Sequence, residues 1–197
     1  MSSTSKASNK ERAAPLVPPP NVPPPYVSTP ILFGSAVVIG YALELCRAEQ
    51  LLSPWLGGKG LALVGLSVFL AGALNNYLAG ATVKARVKYQ VPHPIAHPAK
   101  DECKERHFFL CVVRSHENYL EFLPQFLAVL LFSTYICEKP SLAGLLGVFW
   151  IVGRFLYALG YSSGFVQRRL PGLFLSLLSY FILHGVIGWW FIKQLLV

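Results

Sequence analysis

The chain has 197 residues, 54% of them apolar, and only 13% are Asp, Glu, Lys or Arg, about half the ~25% usual for soluble domains. So little charge cannot cover a soluble surface, which excludes a soluble Rossmann or TIM-barrel enzyme and a disulfide-rich secreted domain. The net charge of +8 does not point to nucleic acid, because the basic residues lie between hydrophobic segments and form no continuous stripe; membrane topology accounts for them.

In chain order, residues 1–30 hold more than half of the fifteen prolines, including Pro18-Pro19-Pro20 and Pro23-Pro24-Pro25. Proline without a helical or strand period predicts an extended or disordered tail. No apolar core comes after the first basic residues, as a secretory signal requires. Ile31 to Leu43 is an unbroken apolar and small run followed by Glu44, Arg47 and Glu49. Residues 31–52 are therefore expected to form an extra short helix, crossing the bilayer or lying at its interface. Gly60 to Val83 is free of charge and long enough to span; its Asn75 and Asn76 are expected to face neighbouring helices, since an unpaired amide in hydrocarbon is costly.

Lys84 to Arg106 reads as a loop with Lys84, Arg86, Lys88, Lys100, Lys104 and Arg106. His107 to Cys137 is a third apolar segment, Glu138-Lys139-Pro140 a turn, Ser141 to Tyr161 a fourth, Ser162 to Pro171 a second basic loop, and Gly172 to Val197 the last. The two basic loops are expected to share the cytosolic side by the positive-inside rule. The fold class is thus an all-α membrane protein: a four-helix transmembrane bundle over residues 53–197 with an extra N-terminal hydrophobic helix. The cysteines Cys46, Cys103, Cys111 and Cys137 form no C-x-x-C pair and no zinc spacing. They read as free thiols, with Cys103, in a polar loop, the most reactive.

Ionisable groups inside spans are functional candidates, with helix–helix pairing as the alternative. Arg114, Asn118 and Glu121 fall at i, i+4 and i+7 on one helical face with Glu117 beside them, whereas His116 points away. Arg154, Tyr157 and Tyr161 share a second face, and Arg168 extends that line if the helix continues. Both clusters sit toward the basic loops and can face one pocket. Guanidinium groups suit carboxylates, carboxylates suit an ammonium, and an amide with phenols suits peptide groups, so the pocket fits a small zwitterionic, peptide-like anion. No Ser/His/Asp arrangement, metal set or phosphate loop competes with it.

The stretch Arg114-Ser-His-Glu-Asn118-Tyr-Leu-Glu121 resembles the R-x-x-x-N-x-x-E signature of the membrane-associated proteins in eicosanoid and glutathione metabolism. That stretch, Lys84 to Val91, and Trp150 to Gly164 are similar to the type 3 microsomal glutathione S-transferase branch, over roughly residues 57–195. The resemblance implies a four-helix bundle that assembles as a homotrimer, with glutathione between subunits near the cytosolic face. It implies that Arg114, Asn118 and Glu121 hold glutathione from one subunit while Arg86, Arg154, Tyr157 and Tyr161 line the site from the other. Arg168 matches an arginine placed by the thiol, where a guanidinium favours the thiolate. Phe122 and Val87 differ from the leukotriene-synthase branch, which argues against eicosanoid specificity.

The implied activity is a glutathione transferase or glutathione-dependent peroxidase acting on lipophilic electrophiles or lipid hydroperoxides, with glutathione as co-substrate, no metal, and membrane lipids as surroundings. The alternative is an accessory structural subunit of a larger membrane complex. The expected location is the endoplasmic reticulum, with a mitochondrial membrane as the alternative.

Overall fold

The computed structural model describes residues 25–100 and 103–196, the first nine of them by backbone alone. The tail expected over residues 1–30 lies outside the described residues as far as residue 24. From there, helix α1 runs Pro25–Leu45, α2 Ala48–Trp55, α3 Gly60–Tyr89, α4 Arg106–Tyr135, α5 Pro140–Ser162 and α6 Leu170–Leu196, the last preceded by a 3₁₀ turn at Val166–Arg169. Among the described residues there is no strand.

The α3–α6 bundle arises from apolar composition and short links. α3, α5 and the Val166–Leu196 segment are each long and apolar enough to cross a membrane. α4 is equally long at 30 residues, but its Arg114–Glu121 face interrupts the apolar run. This is an integral membrane protein, and side chains such as Phe69, Tyr77, Phe155 and Phe174 are accordingly exposed around the outside. Inside, Phe126 of α4 stacks on Trp150 of α5 with ring centroids 3.7 Å apart. Tyr119 donates its hydroxyl to the Ala71 carbonyl of α3 at 2.7 Å, so the phenol is satisfied where no water reaches.

The segment 31–52 is not one helix. Arg47 takes a left-handed conformation with φ 48°, and the chain turns between α1 and α2. α1 lies along α6 at backbone contact: a Cβ at Gly40 would overlap the Gly185 carbonyl oxygen, and one at Gly185 would overlap that of Ala36. Such close approach between small residues is how helices associate where lipid removes the hydrophobic drive. α2 then brings Glu49 to the start of α5, where its carboxylate accepts from the amides of Ser141 and Leu142 at 2.9 Å each. Two of the four orphan donors of a helix N-terminus are satisfied in this way, with the charge in its favoured place.

The basic loop is also shorter than expected. α3 continues to Tyr89, so Lys84, Arg86 and Lys88 belong to its last turns, where cations complement the helix dipole. Between α3 and α4 the chain folds back on the helix ends, and Val91 and Cys103 pack with Ala85, Phe109 and Val113 as a small second core. Cys103, expected to be the reactive thiol of a polar loop, is instead only 4% exposed within it. Among the described cysteines Cys46 is the exposed one. Lys100 and Lys104 gave the loop its polar reading, but Ala85, Val91, Phe109 and Val113, from the two helices and the loop, close over the thiol.

Candidate functional site

The ends of α3, α4, α5 and the start of α6 converge at the basic end of the bundle, and the polar residues singled out from the sequence gather there. Arg154 is the centre. It is 1% exposed, and its Nη2 donates both to the Asn118 carbonyl, at 2.7 Å, and to Asn118 Oδ1, at 2.9 Å. Asn118 Nδ2 in turn donates to Glu121 Oε2 at 3.3 Å. The amide is thereby oriented at both ends, as a link between a buried cation on α5 and an exposed carboxylate on α4.

Four aromatic faces surround the guanidinium: Tyr157 at 4.9 Å, Phe122 at 5.0 Å, Trp150 at 5.6 Å and Tyr119 at 5.9 Å. Ring quadrupoles stabilise a desolvated cation. Even so, Arg154 Nε and Nη1 are buried without a hydrogen-bond partner among the described residues. Buried donors are normally satisfied, and one way to satisfy these is an anionic ligand.

One turn toward the basic loop, Arg114 donates to Glu117 Oε2 at 3.0 Å, with its side chain about half exposed, and His97 of the loop reaches Glu117 Oε1 at 3.4 Å. Arg114, Asn118 and Glu121 thus do share a face, and Asn118 ties it to Arg154. His116 points the other way and meets Asn75 Oδ1 at 3.2 Å, so Asn75 does face a neighbouring helix, whereas Asn76 is exposed.

Arg86 is turned to the loop, where Nη1 donates to the carbonyls of Ile95 at 2.6 Å and Pro92 at 3.4 Å. Arg168 is exposed and stacks on Phe165 at 4.6 Å. The cation against the tyrosines is Arg169: its guanidinium lies 4.7 Å from the Tyr161 ring, and Nη1 is 3.5 Å from Tyr157 Oη. Extrapolating α5 to Arg168 assumed continued α-helix. Gly164, at φ 82°, ends that helix, and the 3₁₀ turn at Val166–Arg169 changes the register, bringing the next arginine round. A glycine just past an apolar helical run is the signal that announces such a stop. Among the described residues no group of three or more His, Cys, Asp or Glu is placed to hold a metal ion.

Fold and side chains together define a helical membrane protein with an arginine-centred polar cluster toward one end of its bundle. The chain belongs to the MAPEG family, whose sequence profile matches residues 64–189. An uncharacterized protein of Synechocystis sp. is 42% identical over 73 residues, 36% of this chain and 51% of that protein. The chain therefore spans about half the length of that relative. α1 and α2 precede the family match.

Proposed function

We propose that the protein is a membrane-bound glutathione transferase or glutathione-dependent peroxidase, closest to the type 3 microsomal branch and working as a homotrimer in the endoplasmic reticulum. The observation that carries this reading is the Arg154–Asn118–Glu121 chain, with two buried guanidinium nitrogens still unpartnered. Glutathione presents two carboxylates, an ammonium and two peptide groups, and Arg154, Arg114, Glu121, Asn118 and the tyrosines answer them in kind. Arg86, held in the loop of its own subunit, would meet glutathione bound against a neighbour.

The chemistry needs a thiolate, and a cation beside the sulfur favours it over the thiol. In conjugation the sulfur lone pair forms a bond to the electrophilic carbon while either the bond to a leaving group breaks and its pair departs with that group, or a π bond breaks and its pair takes up a proton. In peroxide reduction it attacks the terminal oxygen, the O–O bond breaks, an alcohol leaves, and a second glutathione resolves the sulfenic acid to disulfide and water. Arg168, from the family resemblance, and Arg169, from its place at Tyr157 and Tyr161, are the two candidates for that cation.

The test is calorimetric titration of the intact oligomer with glutathione, paired with ultraviolet titration of the thiolate and turnover of a model electrophile and a lipid hydroperoxide. Arg168→Ala and Arg169→Ala are compared, and the one that moves thiolate formation to higher pH with binding retained names the activating residue. No binding and no turnover would sink the enzyme reading. In its place would stand an accessory subunit of a larger, mitochondrial complex, a reading that draws on α1 and α2 lying outside the family match and exposing Val38, Leu45 and Trp55. The native mass separates the two: three copies of one chain, or one copy among different chains.

A further inference from the structure

At the end of the bundle opposite the arginine cluster, a cavity of about 490 Å³ opens between α1, α2, the turn from α4 to α5, and α6. Its size falls in the ~300–1,000 Å³ range of small-molecule sites. α1 and α2, outside the family match, supply one wall, so the cavity belongs to what this chain adds to its family.

The polar lining has a definite arrangement. Glu44 accepts from Lys139 at 3.1 Å and from Lys193 at 3.2 Å, and it therefore holds both ammonium groups at the cavity. An ammonium carries three N–H donors, so each lysine keeps capacity beyond Glu44. Trp189 also lines the cavity, and its indole Nε1 is buried with no acceptor among the described residues. Two cationic donors thus stand around one space, and the ring of Trp189 forms part of its wall. Glu49 is committed to the amides of α5, and Glu138 stands exposed in the lining. Leu43, Leu142, Val186 and Trp190 make the apolar part.

α1, α4 and α6 all end here, which puts the cavity at the membrane–water boundary. Exposed Tyr41, Trp55 and Tyr135 are gathered at the same helix ends, as aromatic residues are at that depth. Charge then selects the occupant. Three carboxylates face two ammonium groups in the lining, an excess of one negative charge. A purely anionic headgroup meets that excess unrelieved, whereas a headgroup with its own ammonium can set it against Glu138.

We propose that this cavity binds the headgroup of a zwitterionic phospholipid, the phosphate accepting from Lys139 and Lys193, and the ammonium facing Glu138. The acyl chains leave toward the bilayer past the apolar wall. The inference is independent of the glutathione reading, since it uses none of the same residues.

The experiment is native mass spectrometry of the intact oligomer released from nanodiscs holding equal parts phosphatidylethanolamine, phosphatidylcholine and phosphatidylglycerol. The zwitterionic lipids are expected to be retained over phosphatidylglycerol. Lys193→Gln, at an exposed position, removes the ammonium and is expected to lower retention roughly fivefold, the fold-change of one net hydrogen bond. Lys139→Gln should act in the same direction and keeps the test available if the first variant does not fold. Equal retention of all three lipids, or retention untouched by both variants, overturns the proposal. So does capture of soluble glycerophosphoethanolamine with no lipid retained.

Discussion

The two ends of the bundle use charge in opposite ways. At the basic end, Arg154 is buried with two of its guanidinium nitrogens unpartnered, and Arg114 and Glu121 are exposed. At the far end two of the carboxylates are spent on the protein itself: Glu49 on two helix amides, Glu44 on Lys139 and Lys193. A buried polar group is costly unless it is paired. Spare donors such as those of Arg154 are free for something else to pair with, while the satisfied carboxylates of Glu44 and Glu49 hold helices together. On the proposed function, this contrast gives Arg154 to binding and Glu49 to the fold.

Substituting at the two ends should consequently break different properties. The largest effect is expected from Arg154→Met, which keeps much of the volume and removes the donors. Glutathione affinity should fall by roughly 2–5 kcal/mol, the range for truncating one partner of a desolvated, hydrogen-bonded charge pair. Calorimetry measures it. A protein that binds normally but melts early would make Arg154 structural and erase the contrast.

Gly40→Leu should act next most strongly, and on stability alone. The side chain has no room against the Gly185 carbonyl, and forced overpacking typically costs about 1–3 kcal/mol. α1 should lift from α6, seen as a lower melting temperature and faster proteolysis near Arg47 with glutathione affinity unchanged. A smaller loss, about 0.5–2 kcal/mol as for other caps of helix N-termini, is expected for Glu49→Ala, again in melting and not in binding. If it weakened glutathione binding as much as Arg154→Met, the ends would be coupled through α5 rather than separate.

The smallest effect concerns the thiol in the turn between α4 and α5. Burial, only partly offset by Lys139, pushes Cys137 from 9.0 up to about 11. An acid whose folded pKa is raised stabilises the fold fully below the unfolded value, and that contribution is lost as pH rises from 9.0 toward 11. Alkylation should therefore be fast at Cys46 and slow at Cys137 until the pH is well above 9. Equal labelling of the two near pH 8 would show that the turn is open.

Much of the bundle was legible because its cause is local. A charge-free run such as Gly60 to Val83 reads as a spanning helix, since a helix alone satisfies its backbone groups within a single segment, where a barrel needs neighbouring strands. The polar face of α4 was legible for the same reason: Arg114, Asn118 and Glu121 are brought together by helical period alone. Arg169 and the burial of Cys103 were not, because each depends on how a non-helical segment folds back. At Arg169 the 3₁₀ turn shifts the register by an amount that helical period does not supply. At Cys103 the apolar residues that cover the thiol come from two different helices and the loop between them.

Sequence by itself determined the class of the molecule, the number of its bundle helices, and which residues share a helical face, because composition and period act within one segment. Only tertiary structure decided which faces meet. It put Asn118 between Arg154 and Glu121, turned Arg86 into its loop, split the N-terminal segment at Arg47, and carried Glu49 across to cap α5. Each of these joins groups far apart in the chain, and their distance is set by packing between helices, which no single segment contains.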